Sequence, residues 1–248
     1  MKHCLFLFAL LFAVTLSATE VDRLLTEYQQ IKTVTCQIRR TSSGGNQTVR
    51  FLSRVYWQND DRLHVENLTP IPRRIISDGN TFFSYAQGDP KGFSRPVDAL
   101  SEEMTISLRK IPGTPMDHLL RLKGLEEKKL NPDGTLTRTG YQAEKRYVVL
   151  RVDSLNRLEG IDFFETSTLQ EKVASYRYSN FKEVLSGVWV PLLQEAVLAV
   201  GDDQEVSETV QVDRFVANEP VAKTLFDPAT FFDKQIDFVD SFAKIYGE

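Results

Sequence analysis

The chain has 248 residues, 42% of them hydrophobic, 26% charged and 10% aromatic, which supplies a sizeable core and excludes a disordered or collagen-like polymer. Its 30 Lys and Arg against 34 Asp and Glu give a net charge of −4. That balance lacks the basic excess that phosphate contacts require and argues against nucleic acid as a partner.

Lys2 and His3 precede an apolar run, Cys4 to Thr15, that closes on the small residues Ser17 and Ala18. This is the pattern of a secretory signal peptide spanning residues 1–18. The run is shorter than the roughly 20 apolar residues of a bilayer crossing, and polar Thr19-Glu20 follow at once. Cleavage near Ala18 removes one counted cation, Lys2, and moves the balance from −4 to −5. Cys4 leaves with the signal, and Cys36 alone can close no intramolecular disulfide. Cys36 sits in an alternating run and reads as a small buried hydrophobe.

Val21, Leu24, Leu25 and Tyr28 recur at helical spacing, with Thr19 as N-cap, and predict a helix at the mature N-terminus. From Thr33 the period changes to two. Gln47 to Trp57 is the clearest strand, with Val49, Phe51, Ser53, Val55 and Trp57 on one face. Asn59-Asp60-Asp61 predicts a turn into a strand from Arg62 to Glu66, and Pro70 and Pro72 break the ladder beyond it. Asp78-Gly79 predicts a two-residue type I′ hairpin that pairs Ser77 with Asn80, Ile75 with Phe82 and Arg74 with Phe83. Residues 87–92 read as a loop. Val97, Leu100, Met104 and Leu108 then recur as on an amphipathic helix, and Thr114 with Pro115 opens a second, Met116 to Leu122. Further strands follow at Tyr147–Val152, Leu158–Glu165, Val173–Phe181, Val188–Val200 and Val206–Val216, with turns such as Gly201-Asp202-Asp203. No helix separates them, which predicts an antiparallel meander. Ile236, Val239, Phe242 and Ile245 at every third position predict a terminal helix over Gln235 to Tyr246.

The chemistry of catalysis has little to rest on. The mature chain has two histidines, His64 and His118, without metal-ligand spacing, and no P-loop, G-x-S-x-G or G-x-G-x-x-G stretch. The acidic pairs Glu102-Glu103, Glu126-Glu127 and Asp202-Asp203 are adjacent and point apart. What stands out is apolar content on strand faces together with helices whose stripes have only a sheet to pack on. Such an α+β, mostly antiparallel chain can close into a barrel or a strongly curved sheet with helices over its open side. For any one of Phe51, Trp57, Phe82 or Met104, the residues alone favour a filled core over a ligand contact.

The stretch Ile76-Ser77-Asp78-Gly79-Asn80-Thr81-Phe82-Phe83-Ser84-Tyr85 resembles the S-D-G-x-T-aromatic segment of the periplasmic lipoprotein carriers of the LolA type. Thr114-Pro115-Met116-Asp117-His118-Leu119-Leu120 is similar to their T-P-x-x-L-L segment, and Asn156-Arg157-Leu158-Glu159-Gly160-Ile161 to their strand-turn-strand. The resemblance covers roughly residues 20–182. It implies an open, strongly curved half-barrel with an N-terminal helix and short lid helices at about 97–123, in a single domain over 19–248 that departs from a simple carrier by an extension from about 185 to 248. It implies a non-enzymatic periplasmic carrier without a cofactor, monomeric, that shields acyl chains of lipoproteins or lipids and moves them toward the outer membrane. An ABC-type donor in the inner membrane and an outer-membrane acceptor would be its partners. The arginine that closes the lid in that family, in the turn after the tryptophan strand, has no clear match; Asn59 or Asp60 falls nearest, with Arg62 slightly beyond.

The candidate cavity lining is Val49, Phe51, Val55, Trp57, Ile75 and Phe82, and the candidate lid stripe is Leu100, Met104, Leu108, Met116, Leu119 and Leu120. Alternation leaves either strand face open as the concave one. Two other readings stand beside it: an envelope-stress sensor that uses the same fold to detect mislocalised lipoproteins and contact a membrane regulator, and, remotely, a secreted hydrolase with dispersed carboxylates.

Overall fold

The computed structural model describes residues 18–45, 47–199 and 205–246, so the expected signal peptide and the turn at Gly201-Asp202-Asp203 lie outside the described residues. A helix, α1 (Glu20–Tyr28), leads into the strands β1 (Thr33–Gly44), β2 (Gln47–Gln58), β3 (Arg62–Thr69), β4 (Arg73–Asp78), β5 (Thr81–Ala86) and β6 (Gly92–Pro96). Two short helices follow, α2 (Glu102–Arg109) and α3 (Met116–Leu122). The chain returns to strands as β7 (Glu127–Asp133), β8 (Leu136–Gln142), β9 (Tyr147–Val152), β10 (Leu158–Phe164), β11 (Lys172–Leu185), β12 (Val188–Ala199) and β13 (Glu205–Ala217). A strap of irregular chain then ends in β14 (Phe238–Val239) and α4 (Ala243–Tyr246). No helix among the described residues is long and apolar enough to cross a membrane.

Among the described residues, the strands join one sheet of 14, in the order β14-β6-β5-β4-β3-β2-β1-β13-β12-β11-β10-β9-β8-β7. Two antiparallel meanders meet at the β1–β13 seam, where Ser42 faces Glu208. The sheet curls around α1, α2 and α3. Val21, Leu24, Leu25 and Tyr28 of α1 and Leu108, Leu119 and Leu122 of the later helices share one core with Val34, Val55, Trp57, Leu150, Ile161 and Val212 of the strands. The inner face of β2 is therefore the one that carries Val55 and Trp57. Cys36 lies in the same core, where burial pushes its thiol up to about 12.

The α1 stripe forms as its period predicts, and the Thr19 side chain accepts the Asp22 amide. Several local readings need correction. Ser77 faces Phe82 and Ile75 faces Ser84, so the turn centres on Gly79-Asn80, and of these only Gly79 has positive φ. The Asp78 carboxylate accepts the amides of Asn80 and Thr81, each at 2.8 Å, which keeps Asp78 in the strand. The register slips by one pair, and Ile75 and Phe82 stay on the same face. Gly92–Pro96, which begins on the last residue of the expected loop, is a strand. The helix expected over Val97–Leu108 is split. Val97–Ala99 is a 3-10 turn, and α2 starts afresh at Glu102, capped by the Ser101 hydroxyl. Thr114 does not cap α3; its hydroxyl donates to the Ile111 carbonyl at 2.8 Å. The hairpin β7–β8 was not expected, and over Gln235–Tyr246 only the last four residues are helical.

Candidate functional site

The inner face of the N-terminal meander carries a cross-strand row, Cys36, Val55, Val65, Ile75, Ser84 and Phe93, fixed by pairing from β1 to β6. Alternation on the pleat puts all six on one side. The helix α2 lies over this face, and α3 packs beside it against α1 and the far meander. Trp57 donates its indole N–H to the Leu108 carbonyl at 3.0 Å, with Trp57 only 3% exposed. One residue on, Arg109 forks onto Asp61 in the β2–β3 turn, Nε to Oδ1 at 2.8 Å and the second nitrogen to Oδ2 at 3.0 Å. The loop between the two helices is held from the far meander, where the Gln194 amide donates to the Gly113 carbonyl at 2.6 Å. Gly113 has φ of +76°, and a Cβ there would come within 2.7 Å of Val212. The C-terminal end of α2 and the loop that follows it are thus both fixed to the sheet. On α3, His118 packs against Tyr176 and Phe163, and burial lowers its pKa.

At the mouth between β5, β6 and α2, a separate cluster gathers Phe82 and Phe93 with Ile75, Leu100 and Met104, and the chain's own tail enters it through Val239 and Ile245. Phe242 stacks on Phe93 with centroids 4.2 Å apart. The tail reaches this point by crossing the outer face of the sheet. Phe231 covers His64 at 4.5 Å and lies under the Arg74 guanidinium at 4.6 Å, while Phe232 meets Phe83 and Phe238.

His64 is 2% exposed, and although the Leu225 backbone approaches the ring, neither imidazole nitrogen makes a hydrogen bond of ordinary geometry. Burial, helped by Arg74 and partly opposed by Glu66, lowers its pKa from 6.5 to about 4. The ring is neutral in the fold, whereas the unfolded chain takes up a proton near 6.5. Its contribution is intact above that pH and is lost as the pH falls toward 4, by up to about 3 kcal/mol. Thermal melts between pH 8 and 4 check this, because His64→Phe should show a shallower loss of Tm below pH 6.5 than the wild type. Parallel pH profiles for the two proteins would refute it.

No protein-family model and no curated protein sequence matches the chain. Solved structures do. A LolA superfamily protein from Nitrosomonas europaea superposes with a TM-score of 0.54 at 12% identity, over 85% of this chain and 98% of that one. A DUF1329 family protein from Desulfovibrio piger gives 0.55 at 10% identity, over 86% and 98%. An outer membrane lipoprotein-sorting protein domain from Vibrio parahaemolyticus gives 0.52 at 8% identity, over 84% and 96%. The chain has the LolA-like fold.

Within this LolA-like frame the turn after the tryptophan strand holds no lid arginine. Asp61 occupies the turn, and the guanidinium that reaches it comes from Arg109 at the end of α2. The candidate residues named from sequence separate into three groups. Val55, Trp57, Leu108 and Leu119 are fully buried and fill the common core, with Met116 and Leu120 half-buried against it. Ile75, Phe82, Leu100 and Met104 meet at the mouth. Val49 and Phe51 share the inner face but lie toward the far end of the β1–β2 hairpin, where Val49 is 37% exposed and Phe51 sits under the Arg40 guanidinium at 5.5 Å. Sequence reading missed Phe93, Asp61, Arg109 and the place of the tail. The alternation Phe93-Ser94-Arg95 was the available signal for the first.

Proposed function

We propose that this protein is a non-enzymatic periplasmic carrier that takes acyl chains of lipoproteins, or of lipids, against the inner face of its sheet and moves them toward the outer membrane. The observation that carries the reading is the lid. Two short helices, apolar toward the sheet, are anchored only around their shared loop, through Gly113 and through one buried hydrogen bond and one ion pair at the adjoining C-terminal end of α2, which leaves their other ends to swing. Each exposed CH₂ of an acyl chain costs about 0.8 kcal/mol in water, so cargo of this kind needs an escort. In the closed state Leu108 and Leu119 fill the space beneath the helices, and cargo enters as the lid swings and its side chains give way to hydrocarbon. An ABC-type donor and an outer-membrane acceptor are the partners this role requires. The names of the lipoprotein-sorting domain and of the LolA superfamily protein of similar fold agree with it.

The test is direct. Delipidated protein is titrated with a fluorescently labelled palmitoylated peptide, and saturable binding is expected that unlabelled palmitoylated peptide competes away and the unacylated peptide does not. Absence of saturable binding, or equal competition by both peptides, would overturn the proposal.

A further inference from the structure

The cluster at the mouth is filled by the chain's own segment Val239 to Ile245, and this occupancy has a physical reading. The walls contributed by Ile75, Phe82, Phe93, Leu100 and Met104 are aliphatic, aromatic or thioether, and none offers a hydrogen bond to an occupant. The charged side chains Arg95, Asp240 and Lys244 line the adjoining groove of about 460 Å³ and are not members of this cluster. A ligand suited to those walls has no polar groups to satisfy along its length. Two side chains of the tail now meet that condition. Ile245 is buried to 6%, and Phe242 lies flat on Phe93 while remaining 51% exposed.

The segment that delivers them is lightly fastened. β14 pairs with β6 over two residues, Phe238 opposite Gly92 and Val239 opposite Phe93. The Gly92 amide also donates to the Asp237 carbonyl at 2.9 Å, and α4 has only four residues. The ion pair between Lys244 and Asp240 is exposed on both sides, at 59% and 68%, and adds little. A segment with so short a ladder and so few buried side chains belongs to the part of a fold that opens first. The tail also touches both sides of the mouth at once, Phe82 and Phe93 on the sheet and Leu100 and Met104 on the lid. Its departure exposes the cluster and unties the lid from the sheet edge in one event.

Resting on the carrier reading, we infer that the mouth between β5, β6 and α2 is a subsite for one acyl chain of the cargo, and that Phe242 and Ile245 occupy it as an exchangeable substitute when no cargo is present. Tail and acyl chain then compete for the same walls. A binding-competent state available only when the tail is out lowers the apparent affinity by the fraction of time the tail is in.

Three variants test this. One ends the chain after Asp237. The second, Phe242→Ser with Ile245→Ser, keeps β14. The third, Gly92→Val, leaves the tail sequence intact but places a side chain where the Phe238 ring lies against Gly92, which forces β14 off the edge. Circular dichroism confirms that each keeps its sheet. Two readouts are taken: fluorescence of 1-anilinonaphthalene-8-sulfonate, which needs no cargo, and affinity for the labelled palmitoylated peptide. The expected result is a dye signal several-fold above wild type and peptide affinity higher on the order of tenfold in all folded variants. Unchanged dye signal and unchanged or weaker peptide affinity in the folded variants would overturn the subsite. A raised dye signal with no peptide binding by any protein, wild type included, would instead bring down the carrier reading and leave the tail as the cover of an apolar cleft of another kind.

Discussion

Trp57→Phe is expected to open the lid far more often than any change to the surface ion pair beside it. The indole N–H of Trp57 is the partner of the Leu108 carbonyl, and both residues are buried, at 3% and 1% exposure. Phenylalanine keeps most of the ring and removes the donor, which leaves a buried carbonyl unpaired in the closed state at a cost of about 1–3 kcal/mol. Opening exposes that carbonyl to water, so the cost falls on the closed form, and the open population rises by roughly 5- to 150-fold. Asp61→Asn removes the charge of a pair whose Arg109 side is 57% exposed, and the expected effect is under about 1 kcal/mol and fades with salt. Hydrogen exchange resolved to the amides of α2 measures both. Trp57→Phe should speed exchange there with little change in α1, and bound palmitoylated peptide should leave faster. Wild-type protection of α2 in Trp57→Phe would mean that the hydrogen bond does not hold the lid.

The largest loss of stability is expected at Leu119. Its side chain is 0% exposed, on the helix that packs against α1 and within the core that both meanders share. Leu119→Ala removes buried methyl groups at a site hemmed by two helices and the sheet, which costs about 2–5 kcal/mol, read as a lower denaturant midpoint at unchanged m-value. The stripe seen in sequence treats Leu108, Leu119 and Met104 as equivalent lid residues, and their burial separates them. A glutamate at Leu108 or Leu119 would be forced into the core and would unfold the protein along with the lid. Met104 is half-buried at the mouth, and Met104→Glu is the substitution that lowers acyl binding while the sheet persists. A Leu119→Ala protein as stable as wild type would show that α3 is not part of the core.

The reach of the sequence follows from how locally each feature is encoded. The α1 stripe, the alternating strand through Trp57 and the helix from Met116 to Leu122 are legible because one face of each is buried and the other is wet. The hairpin β7–β8 is not, because it lies at the sheet edge and residues such as Lys128, Lys129 and Thr137 are exposed, so no apolar period marks it. The same spacing that suggests a terminal helix through Val239, Phe242 and Ile245 is met by an extended strand and one helical turn, because Phe238 has Gly92 and two aromatic rings to pack on. Of the site, the apolar strand face and the helical stripe could be read locally. The latch could not, since Asp61 and Arg109 stand 48 positions apart and any of several charges could have paired. The seam between β1 and β13 is likewise a long-range choice, with Arg40 bonded to Glu208 across 168 positions.

The two ends of the sheet bear on how the molecule keeps its own company. An unpaired strand edge is a template for another chain, and a sheet of 14 strands has two of them. At one, β7 presents exposed Lys128 and Lys129 and breaks its ladder around Asn131-Pro132. At the other, β14 offers two residues, too few to seed a neighbour. Edge-to-edge polymerisation is thus discouraged by charge and proline on one flank and by brevity on the other. While β14 is in place, neither flank offers a second copy a long apolar edge on which to begin a fibre.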